Sequence, residues 1–343
     1  MKWWQTSWNP VVGCTPVSPG CKNCYAKALH DQRHVAHILQ KEVWDCYAQP
    51  FETVQLMEKR LERPLHWRKP RRVFVNSMSD LFHEDVPFEF LDRVFAVMAL
   101  AQQHTFMILT KRPERMREYV MGVQGEPIDT PRDFAIFDAW RAVHGDHYGQ
   151  RLWPLPNLWL GVTAENQEQA DARIPVLLEA PAAKRFVSIE PMLGPVDLTA
   201  FFGGDNGGFV CPNCGVWEAT ERYCATCDTD IWDVEGYVKP SLDWVICGGE
   251  SGRNARPMHP DWARSLRDQC EAAGVPFFHK QNGEWVLCPG LDVACSECEY
   301  DAKRTKGPGT FSHEYNMCRV GSRRAGRLLD GREHNEIPSG GAS

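Results

Sequence analysis

RRVFVNSMSD, residues 71–80, is an apolar, β-branched and aromatic run that stops abruptly in polar side chains. A run of this kind reads as a buried strand whose polar exit reaches an accessible edge. The pattern recurs at TFMILTKRP (105–113), LWLGVTAEN (158–166), KRFVSIEPM (184–192), DWVICGGES (243–251) and VPFFHKQNG (275–283). Apolar residues at helical spacing predict helices in PFEFLDRVFAVMALAQQ (87–103) and in HPDWARSLRDQCEAAG (259–274), with Gly274 as its stop. A third candidate, QEQADARIPVLLEA (167–180), is interrupted at Pro175. Strand, helix, strand in repetition means parallel βαβ units. The fold class is therefore α/β, a partial or complete parallel (β/α) barrel of six or seven strands, and an open doubly wound sheet satisfies the same periodicity.

In a parallel barrel the C-terminal strand ends share one rim, where ligands sit. That rim is expected to carry Ser77, Ser79 and Asp80, then Thr110, Lys111 and Arg112, then Thr163 and Glu165, then Glu190, then Glu250, and finally Lys280. Ser77, Ser79, Asp80, Thr110, Lys111, Thr163, Glu165, Glu190 and Glu250 are the candidate ligand-binding residues. Plainer readings stand beside them: a turn capped by Asp80, solvated cations at Lys111 and Arg112, and an ion pair between Glu190 and an arginine.

The chain has 343 residues and a formal charge of -7, so no chain-wide basic field holds a nucleic-acid backbone. Any such contact has to be local. KRLERPLHWRKPRR (59–72) and RVGSRRAGRLLDGR (319–332) concentrate basic residues and suit a docked nucleic acid, or are solvated faces. Trp67, inside the first, either stacks on a base or covers the core. With no leader pattern at the start and no apolar run long enough to cross a bilayer, a cytoplasmic protein without a membrane partner is expected.

Fourteen cysteines in such a chain point to metal rather than disulfides, since most fall in CxxC clusters. CPNC and CATC place Cys211, Cys214, Cys224 and Cys227 at zinc-ribbon spacing, closed and structural. Cys288, Cys295 and Cys298, with Cys318 or His313 as a fourth ligand, suit zinc or a second iron–sulfur cluster. The isolated Cys46, Cys247 and Cys270 read as buried apolar residues. The remaining set, Cys14, Cys21 and Cys24 in VVGCTPVSPGCKNCYA (11–26), supplies three thiols and no nearby fourth. A 4Fe–4S cluster held by three thiolates leaves one iron open to an exogenous ligand. Trp3, Trp4 and Trp8 are expected to plug the barrel or to pack beneath this loop.

This loop resembles that of radical S-adenosylmethionine enzymes, although six residues rather than three separate its first two cysteines and Asn23 stands where an aromatic residue is usual. WNPVVGCTPVSPGCKNCYA, FVNSMSDLFHEDVP, LTKRPERM, LGVTAEN, SIEPMLGPVDL, WVICGGESGRNARPM and FFHKQNGEW together resemble an uncharacterised phage-associated family placed in that superfamily. The resemblance implies a 4Fe–4S cluster on Cys14, Cys21 and Cys24, S-adenosylmethionine on its open iron, an external electron donor and a 5′-deoxyadenosyl radical. It also implies a barrel of the radical S-adenosylmethionine type with cysteine-rich insertions, in the host cytoplasm if phage-encoded. Nucleic acid or a nucleotide is the expected substrate, with a partner protein as an alternative presenter of it. The competing expectation is a zinc-stabilised nucleic-acid- or protein-binding protein without catalysis. The segments expected are 1–202 (barrel with the iron–sulfur loop), 203–240 (zinc-ribbon insertion), 241–285 (rest of the barrel) and 286–343 (cysteine-containing insertion and tail).

Overall fold

The computed structural model describes residues 2–122, 154–203, 240–288 and 316–339, with the short strand segments 209–210, 217–218 and 311–312. Seven strands make its main sheet: β1 (Thr6–Trp8), β2 (Arg72–Val75), β3 (Thr105–Thr110), β4 (Leu158–Thr163), β5 (Lys184–Ile189), β6 (Trp244–Gly248) and β7 (Phe277–Gln281). They lie side by side in chain order, and every neighbouring pair is parallel. A doubly wound sheet reverses its order at a switch point. No reversal occurs here, and the sheet curls into a half-barrel with β1 and β7 as its two edges.

Among the described residues five helices of ten residues or more accompany the strands: α1 (Tyr25–Ile38), α2 (Phe88–Leu100), α3 (Pro113–Gly122), α4 (Gln167–Glu179) and α5 (Pro260–Ala273). Gly274 ends α5 in the left-handed region at φ 66°, where a residue without Cβ is not strained. Asn166 caps α4 by accepting from the Gln169 N–H. Pro175 does not interrupt α4, contrary to expectation; the helix runs through it and forgoes only the bond its missing N–H would make. Helices α1 and α3 were not legible from the sequence. The former buries only Ala26 and His30, so no apolar stripe announces it.

Successive strand residues point to opposite faces. Val73, Val75, Phe106, Ile108, Leu160, Val187 and Val245 face outward and pack with Phe90, Val94 and Phe95 of α2 and Ile174 and Leu177 of α4. Phe74, Met107, Trp159, Phe186, Trp244, Ile246 and Phe278 face inward, and Trp3 packs among them with Trp4 partly buried alongside. Trp8 departs from expectation: it belongs to the outward layer, because β1 alternates like the others, and its indole N–H donates to the Arg60 carbonyl at 2.8 Å. Cys247 and Cys270 are buried in that outward layer, and Cys46 is buried beside Val12 and Tyr47, as expected for small apolar residues.

The inward rows change character as they climb. Phe186 is followed two and four residues later by Ser188 and Glu190, Met107 by Leu109 and Lys111, and Phe278 by Lys280. An aromatic floor therefore supports a polar mouth on one continuous face. The C-terminal segment covers the β7 edge, with a bridge from Asn335 to Phe278, a His279 N–H bond to the His334 carbonyl, and Trp244 Nε1 donating to the Glu336 carbonyl.

Gly161, on the inward face of β4, leaves the space that Phe186 fills; a Cβ there would stand 2.5 Å from the ring. Gly161→Ala is expected to destabilise the protein by about 1–3 kcal/mol through overpacking. Combining it with Phe186→Leu is expected to recover part of that loss, as read from urea-unfolding midpoints of the single and double variants.

Candidate functional site

At the C-terminal ends of the strands lies a cavity of about 210 Å³, room for far more than one ion or water. Cys14, Cys21 and Cys24 all line it, as do Asn76, Lys111, Thr163, Ser188, Glu190 and Lys280, while Trp3, Trp4 and Phe74 join the aromatic floor to it. The cysteine loop thus lies over the mouth of the half-barrel, where strand polarity places ligands.

The loop is anchored at each end. Gly13 has φ 98°, and a Cβ on it would lie 2.2 Å from the Thr53 carbonyl, so only glycine fits. Its N–H donates to the Met78 carbonyl, the Cys14 N–H donates to the Phe51 carbonyl, and Cys24 stands at the N-cap position of α1 without a capping bond from its thiol. The turn after β2 is stitched to the same region: Ser79 donates to the Val11 carbonyl at 2.9 Å, Ser77 to Asn9 Oδ1 at 3.2 Å, and the Tyr25 hydroxyl to the Ser77 carbonyl at 2.6 Å.

Asp80 is buried and accepts from the Phe82 and Lys111 N–H groups and the Thr110 hydroxyl. Asp80 thus caps its own turn and extends the cap across to β3. Arg112 is not a free rim cation: its guanidinium is buried against Asp80 at 3.5 Å, donates to the carbonyl and hydroxyl of Thr15, and stands 3.7 Å from the Cys14 sulfur. Thr15 also pairs with His83 at 2.8 Å.

Two further carboxylates hold the middle of the loop. Glu165 is fully buried and is not among the residues lining the cavity; it accepts from the Gly20 N–H at 2.9 Å and from Arg173 at 3.1 Å. Glu250 accepts from the Asn23 amide at 2.9 Å and from Arg256 at 2.6 Å, while Arg256 also donates to the Pro19 carbonyl at 3.0 Å. Burial disfavours both carboxylates. For Glu165 the Ser18 hydroxyl, the Gly20 N–H and Arg173 outweigh it, for Glu250 Arg256 and Asn23 do, and both acids sit below the ordinary carboxylate range.

Other rim groups keep capacity to spare. Lys111 has no hydrogen-bonded or ion-paired partner for its ammonium group among the described residues. Asn76 is buried with its amide Nδ2 unpartnered, while its Oδ1 accepts from Val11. Glu190 pairs with Lys280 at 2.6 Å rather than with an arginine, and Lys280 lies 5.5 Å from the Trp4 ring centre. Thr15, His83, Arg173 and Arg256 escaped the sequence reading. They follow no motif spacing, and only the fold brings them to the loop.

Burial pushes the Cys14 thiol up to about 11, with Asp80 adding to the rise and Arg112 opposing it. Among the described residues no three His, Cys, Asp or Glu side chains are gathered closely enough to hold a single metal ion. Cys211, Cys214, Cys224 and Cys227, and Cys295, Cys298 and His313, lie outside the described residues. Cys288 and Cys318 are both buried and pack together with Val320 and Ala325. Residues Trp285–Leu287 pair antiparallel with Met317–Arg319, Val286 opposite Cys318, which makes Cys288 a diagonal neighbour of Cys318.

The basic stretch 59–72 leads into the N-terminal end of β2, away from the rim, and Trp67 packs on the core and against His104. It covers the core. In 319–332, Arg319 pairs with Glu284 and Arg327 with Glu333. No helix among the described residues is long and apolar enough to cross a membrane.

The carboxylate clamps carry a pH signature. Because both acids are depressed in the folded state, their contribution is complete above the ordinary value of 4.5 and is lost as pH falls through their lower folded values. Urea-unfolding midpoints are expected to fall below about pH 4, and less steeply in Glu165→Gln. Removing Glu165 altogether, as Ala, leaves Arg173 buried and unpaired and is expected to cost about 3–5 kcal/mol.

No curated protein and no solved structure matches this chain. One family model, described as "Protein of unknown function (DUF5131)", matches residues 1–338. The chain belongs to this family.

Proposed function

We propose that the protein is a radical S-adenosylmethionine enzyme acting on a nucleotide or nucleic acid, with a 4Fe–4S cluster on Cys14, Cys21 and Cys24. The observation that carries the reading is the set of three half-buried, free thiols on the wall of one rim cavity. The donor set fits such a cluster. Three thiols and, among the described residues, no fourth protein ligand are the number a cluster with one open iron would need. Held by Cys14, Cys21 and Cys24, such a cluster would supply a coordination site for S-adenosylmethionine and the electron for its reductive cleavage.

The chain's own residues divide the remaining work. Lys111 and the unpartnered Asn76 amide suit a carboxylate, and Glu190 suits an ammonium group or ribose hydroxyls. Ser77, Ser79, Asp80 and Thr110, together with Glu165 and Glu250, spend their polar groups on the loop and its neighbours, so their part is to hold the thiols in place. Trp3 and Trp4 close the floor and exclude water from the cavity. The electron comes from an external donor.

Zinc on Cys211, Cys214, Cys224 and Cys227, and zinc or a second cluster on Cys288, Cys295, Cys298 and Cys318, complete the proposal. The joint burial of Cys288 and Cys318 supports the latter. It equally favours the second reading, a zinc-stabilised binding protein without catalysis. A phage origin and action in the host cytoplasm belong to the first reading through the resemblance alone.

Metal and sulfide analysis, with low-temperature electron paramagnetic resonance of the reduced, anaerobically prepared protein, separates the two. The reduced spectrum is expected to shift on adding S-adenosylmethionine, and the component that shifts is expected to vanish in Cys21→Ala, with 5′-deoxyadenosine formed only by the unaltered protein. Protein that holds zinc alone and takes up no iron contradicts the enzyme reading. Lys111→Ala is expected to weaken S-adenosylmethionine binding about tenfold, about 1.4 kcal/mol, when the spectral shift is titrated.

A further inference from the structure

The loop's anchoring is mostly backbone and carboxylate work, and two arginines add to it, Arg256 at the Pro19 carbonyl and Arg112 beside Cys14. Arg112 presents Nη1 to the sulfur of Cys14 at 3.7 Å, from a guanidinium that is almost wholly buried. Its position is fixed from several sides: Asp80 Oδ2 at 3.5 Å, the Thr15 carbonyl at 3.1 Å, the Thr15 hydroxyl at 3.0 Å, and Glu84 at 3.5 Å from Nε. Asp80 is itself held by the Thr110 hydroxyl and two backbone N–H groups. Neither charge of the pair can swing away without leaving buried partners unsatisfied.

A fixed cation donating toward a sulfur has a defined effect on any iron–sulfur group that sulfur ligates. One-electron reduction adds negative charge, part of it on the thiolates, and an N–H donor or positive charge beside a thiolate stabilises the reduced state more than the oxidised one. A buried carboxylate nearby does the reverse. Low solvent exposure leaves both effects poorly screened.

We infer that Arg112 and Asp80 are an electrostatic pair that sets the reduction potential of a cluster at Cys14, Arg112 raising it and Asp80 lowering it. This rests on the proposed cluster and goes beyond it, by giving the two residues a role distinct from binding S-adenosylmethionine or substrate. They are positioning residues, acting on the thiolate rather than on reacting atoms. The step concerned is the transfer of one electron from an external donor to the oxidised cluster, with no bond formed or broken at either side chain.

The test is a mediated redox titration of the full-length, anaerobically reconstituted protein with dithionite, read by electron paramagnetic resonance alongside iron content. Arg112→Gln is expected to lower the midpoint potential, Asp80→Asn to raise it, and Arg112→Lys to stay closer to the unaltered protein than Arg112→Gln. Opposite shifts at unchanged iron content are not produced by a merely structural role. Equal potentials, or shifts in the same direction, overturn the inference while leaving the cluster reading intact. A protein that takes up no cluster overturns the reading and the inference together. If Arg112→Gln fails to retain iron, the unaltered protein labelled with ¹⁵N-arginine decides: pulsed resonance on the reduced cluster is expected to detect a guanidinium ¹⁵N coupling, and its absence overturns the inference.

Discussion

Two buried carboxylates on different strands grip one loop, and the rest of the site depends on that grip. Glu165, after β4, takes the Gly20 N–H, and Glu250, after β6, takes Asn23 and through Arg256 reaches Pro19. The residues between the cysteines have only a short 3-10 turn, Pro19–Cys21, to order them. Without an external hold, such a segment would lose its geometry to chain entropy. With it, three thiols stand over the barrel mouth in a fixed arrangement, and the barrel supplies the wall opposite.

The sheet explains why the hold works. Because the strands are parallel and in sequential order, their C-terminal ends present residues from β2 to β7 toward one point. Period-two alternation then sorts each strand into an outward residue for the helix layer and an inward residue for the floor or the mouth. Glycine appears where backbone or a ring comes too close for a side chain: Gly13 against Thr53, Gly161 against Phe186. A buried carboxylate in this setting would be costly alone, and Asp80, Glu165 and Glu250 are each matched by an arginine and a backbone donor.

Much of this was legible in the sequence. The apolar runs with polar exits identified the six longer strands, their parallel sense and the rim residues, and helices α2, α4 and α5 followed from apolar spacing and from Gly274. Less legible was the assignment of tasks among rim residues. Glu165 and Glu250 read equally well as ligand-binding acids until Gly20, Arg173, Asn23 and Arg256 were seen against them. Arg112 looked like a free rim cation, and burial against Asp80 and Thr15 gives it another character. Such pairings join residues tens to hundreds of positions apart, and no local spacing encodes them. Trp8 parts from Trp3 and Trp4 for a simpler reason: closeness in sequence suggests one cluster of three tryptophans, and strand alternation sends Trp8 to the outward layer.

Membership in an uncharacterised family leaves chemistry to the site itself. A set of three thiols, an unpartnered buried amide and a lysine converge on one cavity above an aromatic floor. The most direct measurement of the central claim is iron-edge anomalous diffraction from crystals grown anaerobically. The expected result is a compact cluster of iron peaks bounded by the sulfurs of Cys14, Cys21 and Cys24, with one iron lacking a protein ligand. Anomalous signal at those sulfurs from a single zinc ion, or none at all from protein shown to carry iron, would contradict it.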